Sequence, residues 1–321
     1  MRRRTVLGLA ATSLATGLLP HIARGDTWPS RPVRFLCPSA AGGSLDILAR
    51  LFGRGLSERL KQNFFVENRG GGGSNIGFDI VAKAPPDGYT IMVASDPLAV
   101  NVSIYENLSY DPIKDFAPII MIATLSQVLA VNPRVPAKTF AEFVALARAK
   151  PNTLNVGSSG NGAPGHLACA LLAQAGIPVV HVPYRGAGPA VLDAVAGQID
   201  ATIVTLPGTI AMIKAGQLRA LAVSTSKRSR FLPDLPTMAE VVPGVVVDSW
   251  QAFFAPGGTP ADIINRLNSE CVALLQTKEV TAAFEAQAFE AGGGPPEALG
   301  KFLRDEIVRW APIIKSAGIR A

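Results

Sequence analysis

Cysteine and histidine occur only three times each in 321 residues, and charged side chains make up only 17% of the chain. Cys37, Cys169 and Cys271 stand far apart inside apolar runs, and no two have metal-ligand spacing. Their odd number leaves at least one unpaired, and a buried free cysteine behaves as a small apolar residue. Past residue 25 the histidines are His166 and His181, with no His-Glu-x-x-His pattern. Neither a side-chain metal site nor a cofactor is therefore expected. No basic run of the kind that grips nucleic acid is present. The densest cluster, Lys227-Arg228-Ser229-Arg230, reads as a solvated loop. Beyond residue 25 no stretch is apolar for 18 residues, so no membrane span is expected there. Gly-x-Ser-x-Gly and the phosphate-loop lysine motif are also missing.

The chain opens with Arg2-Arg3-Arg4, followed by the apolar run Val6 to Leu19, which is too short to cross a bilayer. With the small-residue site Ala23-Arg24-Gly25, this is the build of a secretory signal peptide, residues 1–25, cleaved near Gly25–Asp26. Arg3-Arg4 before Thr5-Val6-Leu7 also resembles a twin-arginine export signal, and the exported chain would reach the periplasm. Losing Arg2, Arg3, Arg4 and Arg24 lowers the net charge from +6 by four, to +2. The basic character thus belongs largely to the leader.

Short apolar runs then alternate with longer periodic ones. Strands are expected at Val33–Cys37, Asn63–Glu67, Tyr89–Ala94 and Ala117–Ala123. In the helix Ser44–Leu60, Leu45, Leu48, Ala49, Phe52, Leu56 and Leu60 share one face. The same grammar restarts, with strands at Val128–Val131, Leu154–Val156, Val179–Val182, Ala201–Val204 and Leu218–Val223. Helices are expected between them at 140–149, 165–174, 187–196 and 208–215. An extended stretch, Val246–Ala255, precedes a wholly helical end, in which Thr259 caps a helix with Pro260 at its first position. Strand–helix alternation implies an α/β fold of two doubly wound sheets. The last helices have no strand of their own to cover, so they should return to the first unit. Lobe 1 is then residues 26–123 plus 249–321, and lobe 2 is residues 124–248. Two crossings, near Ile122–Gln127 and Asp248–Phe253, make a two-stranded hinge of the Venus-flytrap kind, able to close on a ligand.

In open parallel sheets ligands bind beyond the carboxyl ends of the strands. Two loops there are rich in small residues: Ser39, Ala40, Ala41, Gly42, Gly43 and Ser44, then Ser158, Ser159, Gly160, Asn161, Gly162 and Ala163. Each opens a helix, whose free N–H groups and positive end suit an anion. Two facing loops would clamp a carboxylate without a lysine. Competing readings start from the same residues. Gly160-x-Gly162-x-x-Gly165 matches a dinucleotide fingerprint, which would suit a nucleotide-dependent enzyme. Its partner acid about 20 residues on is absent, since that strand ends at His181-Val182-Pro183-Tyr184. His166 near Ser158 and Ser159 imitates a nucleophile–base pair but lacks an orienting third group. It reads better as a first-turn residue that packs or orients the loop.

Further segments extend the pattern: Pro29-Ser30-Arg31-Pro32-Val33, Gly42-Gly43-Ser44-x-Asp46-x-x-Ala49-Arg50, Val66-Glu67-Asn68-Arg69 and Ala84-Pro85-Pro86-Asp87-Gly88-Tyr89-Thr90. Ser158-Ser159-Gly160, Gly165-His166-Leu167-Ala168, Val182-Pro183-Tyr184-Arg185-Gly186 and Ala255-Pro256-Gly257-Gly258-Thr259-Pro260 follow in order. With these motifs the chain resembles the Bug family, the extracytoplasmic solute receptors of tripartite tricarboxylate transporters. The resemblance implies a two-lobed periplasmic binding protein and not an enzyme. It also implies a small organic acid ligand and two integral membrane transporter subunits as partners. Within the family the two glycine loops hold the ligand carboxylate, which here means Ser39 to Ser44 and Ser158 to Ala163. One departure is Ser39-Ala40-Ala41, where the family often has Phe-Pro-Pro, so ring bulk and rigidity are lost from the first loop. A receptor feeding a signalling partner is the alternative.

Other candidates are read from position. Asp46 could meet a ligand amine or simply favour its helix start. Ser95 and Asp96 end the third strand. Thr205 ends a second-unit strand and offers a hydroxyl. Tyr184 and Trp250 are candidate walls, and Arg185 is a cation set to face a second carboxylate. A monomer is expected.

Overall fold

In the computed structural model residues 28–320 are described, and the expected signal peptide lies outside them. The first unit runs β1 (Val33–Cys37), α1 (Ser44–Leu60), β2 (Phe64–Asn68), α2 (Asn75–Ala82), β3 (Thr90–Ser95) and α3 (Pro97–Ile104). The strand β4 (Phe116–Val131) leads into the second, with α4 (Phe140–Ala149), β5 (Asn155–Ser158), α5 (Pro164–Gln174), β6 (Val180–Pro183) and α6 (Ala187–Ala196). It continues through β7 (Ala201–Thr205), α7 (Leu206–Lys214), β8 (Arg219–Val223) and α8 (Met238–Val241). The return is made by β9 (Asp248–Pro256), α9 (Ala261–Leu275), α10 (Lys278–Ala286), β10 (Glu290–Gly293) and α11 (Pro296–Ser316).

Separate strands are expected at 117–123 and 128–131, with a crossing between them, but the structure has one 16-residue strand. The reason is pairing: Thr124, Leu125 and Ser126 face Trp250, Ser249 and Asp248 of β9, so pairing continues through the expected crossing. Phe116–Ser126 pairs with β9, and within it Met121–Thr124 also pairs with β10; Gln127–Val131 pairs with β7, and within it Val128–Val131 also pairs with β8. The strand order β2-β1-β3-β9-β4-β7-β5-β6 therefore passes through both halves of a two-lobed α/β fold. Parallel pairing holds within β2-β1-β3 and within β7-β5-β6, and the strands between them are antiparallel.

Apolar periodicity explains the flanking helices. Leu45, Leu48, Phe52 and Leu56 of α1 are buried with Ile264, Leu267 and Leu274 of α9 over one face of the first sheet half. Trp250 and Phe254 pack with Leu299 and Leu303 of α11 on its other face. The far end of α11 leaves that lobe, and Trp310 and Ile314 join Leu129, Phe140 and Leu167 in the core of the second. The last helix is thus shared between lobes, not confined to the first. Thr259 does not cap the next helix as expected; its hydroxyl donates to the Pro256 carbonyl at 2.7 Å, and α9 begins after Pro260. Cys37, Cys169 and Cys271 are all free and buried.

The three glycines of the nucleotide-like fingerprint have packing reasons. Gly160 and Gly162 take φ of 141° and 70°, a region costly for other residues. Gly165, inside α5, lies so close to β7 that a Cβ would stand 2.0 Å from the Ile203 carbonyl oxygen. Overpacking against backbone typically costs 1–3 kcal/mol. Gly165→Ala should therefore lower the unfolding free energy by about 3 kcal/mol in a denaturant titration. Gly188, with nothing within 4 Å of its Cβ position, is the control, and Gly188→Ala should change it little.

Candidate ligand-binding site

A cavity of about 590 Å³ opens where the two lobes face each other across β4 and β9. Ser39, Gly43 and Ser44 reach it from the first loop, and Ser159, Asn161, Gly162 and Ala163 from the second. Ser95 and Asp96 line it from the end of β3, and Thr205 from the end of β7. Each group sits at the carboxyl end of a strand, where the chain turns into a helix. Gly43 and Ala163, the residues just before α1 and α5, carry no side-chain cap, so the first-turn N–H groups, which in α5 start after Pro164, have no side-chain acceptor from those positions. Among the described residues, no lysine, arginine or histidine joins the lining.

Other expected contacts fall outside the cavity. Ala40, Ala41 and Gly42 are on the exposed outer arc of the first loop. Asp46 turns away from the ligand space. It accepts from Gly42 N at 2.9 Å, Arg50 Nε at 3.0 Å and Asn68 Nδ2 at 2.9 Å, and these contacts hold its carboxyl below the usual range despite burial. It fastens the loop to α1 and offers no oxygen to a ligand amine. Ser158 is fully buried, His166 lies behind the second loop, and Tyr184 donates to Asp193 Oδ2 at 2.7 Å. Arg185 is exposed and lines no part of the cavity; its neighbour Gly186 does. Trp250 is buried in the first lobe, edge-on to Phe302 at 5.7 Å.

Ser158, His166 and His181 act together instead. The two imidazoles stack 3.7 Å apart at 9°. His166 Nδ1 accepts from Gly162 N at 3.1 Å, so that nitrogen carries no proton. Ser158 Oγ donates to the Gly160 carbonyl at 3.0 Å and accepts from Gly160 N at 3.2 Å. With its one proton so used, Ser158 takes a hydrogen bond donated by His181 Nε2 at 2.6 Å. Burial lowers both histidines, to about 4 for His166 and about 3 for His181, the latter also through His166. Two neutral rings therefore brace the second loop from behind. Ser158 pairs with His181, not with His166, and its buried hydroxyl is committed to the loop.

Several lining residues escape sequence reasoning. Gly73 and Ser74 come from the glycine run, tied to α3 by Asn101 Nδ2 donating to the Gly73 carbonyl at 2.8 Å. Tyr105, Ile104 and Val100, on α3 and just past its end, form an apolar side. Gln127, Ser249 and Gln251 make the floor. Their signal was a polar residue interrupting an apolar strand run, in Leu125-Ser126-Gln127-Val128 and Ser249-Trp250-Gln251-Ala252.

Residues 48–319 match the family described as the tripartite tricarboxylate transporter family receptor. This chain belongs to that family. The receptor is 35% identical to protein BugT of Bordetella pertussis, over 100% of this chain and 99% of that one. It is 38% identical to the Rhodopseudomonas palustris protein Rpa4515, solved with adipate, with a TM-score of 0.83 over 91% of this chain and 99% of the other. MatC of the same organism, solved with malate, is 29% identical, with a TM-score of 0.78 over 89% of this receptor and 100% of MatC. These are binding proteins and not enzymes, and the receptor shares their periplasmic binding protein fold.

Asp96 is the one Asp or Glu among the described residues that lines the cavity. Burial raises its carboxyl to about 7 and Glu306 adds to the rise, against the Ser249 hydroxyl, which donates to Oδ2 at 2.8 Å. The folded state thus holds a proton that the unfolded chain releases near pH 4. Between about pH 4 and 7 stability falls as pH rises, and above 7 the penalty is fully present. Asn cannot ionise. Asp96→Asn should therefore gain thermal stability relative to the unsubstituted receptor on going from pH 4 to pH 8. Equal differences in melting temperature at the two pH values would contradict the burial account.

Proposed function

We propose that the receptor is a monomeric periplasmic protein that closes on a small organic carboxylate in the interlobe cavity. It would then hand the ligand to two integral membrane subunits of a tripartite tricarboxylate-type transporter. In this reading residues 1–25 direct export, in a twin-arginine manner. Residues 26–123 and 249–321 form one jaw, and residues 124–248 form the other, into whose core the far end of α11 packs.

The observation that carries the proposal is the facing of two uncapped helix ends, α1 and α5, across a cavity whose lining holds no cationic side chain. Each end is equivalent to roughly +0.5 charge, so the two together match one carboxylate. Ser39, Ser44 and Ser159 add hydroxyl groups beside those ends. Adipate and malate in the two R. palustris relatives are acids of the same class.

The test is a thermal-shift titration of receptor that has been unfolded and refolded to strip carried-over ligand. Ligand at about 100 times its dissociation constant stabilises by about 2.7 kcal/mol. Short organic acids should raise the melting temperature and their methyl esters should not, because the ester removes the charge that the helix ends select. Esters as effective as acids, or stabilisation by nucleotides alone, would sink the proposal.

A further inference from the structure

The polar floor of the cavity holds amide groups that the fold leaves unpaired. Gln127 sits on β4 opposite Thr205, and Gln251 sits on β9 opposite Ser95, so the two mark the second-lobe and first-lobe sides of the floor. Their exposures are 1% and 4%. Gln127 Nε2 is buried with no hydrogen-bond partner. Gln251 donates from Nε2 to Ser44 Oγ at 2.5 Å, and its Oε1 is buried without a donor. An unmade hydrogen bond at a buried polar group costs about 1–3 kcal/mol. One unpaired donor and one unpaired acceptor in a single cavity call for a partner offering both.

A second carboxylate does not answer that call. It has acceptors only, so with the Gln251 amide as placed it can take the Gln127 N–H but must set its charge against the Gln251 oxygen; with that amide turned over and Ser44 donating to Oε1 it gains a second N–H but still no cation. The lining has no lysine, arginine or histidine to compensate it, and Arg185 lies outside. Asp96, whose carboxyl stands at the start of α3, is close enough to the floor to take the Ser249 hydroxyl and adds acid to the same wall. Burying an uncompensated charge there is expensive. A primary carboxamide has two N–H donors and a carbonyl, is neutral, and satisfies both glutamines.

We propose that the Gln127–Gln251 floor is a subsite for an uncharged carboxamide, so that the receptor selects acids carrying a neutral amide at their far end over the corresponding dicarboxylates. The proposal rests on the carboxylate reading above, which supplies the anchor for the other end.

Matched pairs decide it. Succinate and succinamate, glutarate and glutaramate, and adipate and adipamate are titrated calorimetrically into the refolded receptor at pH 8, with butanoate and hexanoate as simple acids. In every pair that binds, the half-amide should be at least about tenfold tighter, a difference of about 1.4 kcal/mol. In Gln127→Met and Gln251→Met that preference should shrink to within about threefold, with the melting temperature of each variant measured alongside to separate lost preference from lost fold. Diacids binding as tightly as their half-amides overturn the subsite while leaving the carboxylate receptor standing. A preference unchanged in both folded variants also overturns it. Binding of none of the acids overturns the carboxylate reading and this one with it. If neither variant folds, the matched pairs on the unsubstituted receptor still decide between amide and acid.

Discussion

Between Phe116 and Ser126 the backbone of β4 is hydrogen bonded to β9, and the same strand then runs on into pairing with β7 and β8. The floor of the cavity belongs to these strands, with Ser249 and Gln251 on β9 and Gln127 on β4. Ser95 reaches the floor because β3 pairs with β9, and Thr205 because β7 pairs with β4. A paired ladder can twist and bend, but it cannot be broken without exposing buried N–H and C=O groups. The two halves of the sheet are thereby joined through two strands, with α11 packed against both sides.

The cavity combines helix ends with neutral polar groups, and its supports are kept neutral as well. His166 and His181 brace the second loop as uncharged rings, and burial holds Asp96 in its protonated form up to about pH 7. Backbone donors at helix N-termini need no side-chain reorganisation to receive an anion. Charged residues stand behind this layer, where Asp46, Arg50 and Asn68 lock the first loop to its helix.

Much of this was legible in the order of residues, because the strongest signals are periodic. The stripe Leu45, Leu48, Phe52, Leu56 fixes α1 to the residue, and the alternation of β-type runs with such stripes points to α/β layers. The glycine loops announce where helices begin. Less legible was the join at Thr124–Gln127, whose polar residues read as a break because their partners on β9 lie more than a hundred positions away. Asp46 and Tyr184 read as candidate ligand contacts for a different reason. Their positions near the loops do not show that nearby partners take up their polar atoms: Gly42, Arg50 and Asn68 for Asp46, and Asp193 for Tyr184. Gln127 and Gln251 were hidden differently, since only the folded sheet shows that their amides end without partners.

The path of β9 also bears on how the chain is assembled on the ribosome. Lobes built from the first residues normally fold first as the chain emerges. Here β3 pairs with β1 on one side but lacks β9 on the other until Pro256 has been made, whereas β4 to β8 are all present by Val223. An open β3 edge is a template for pairing with other chains, and contacts so distant in sequence form slowly. The lobe that begins the polypeptide is therefore the one finished last. Its nascent sheet carries an open edge along β3 while the rest is translated.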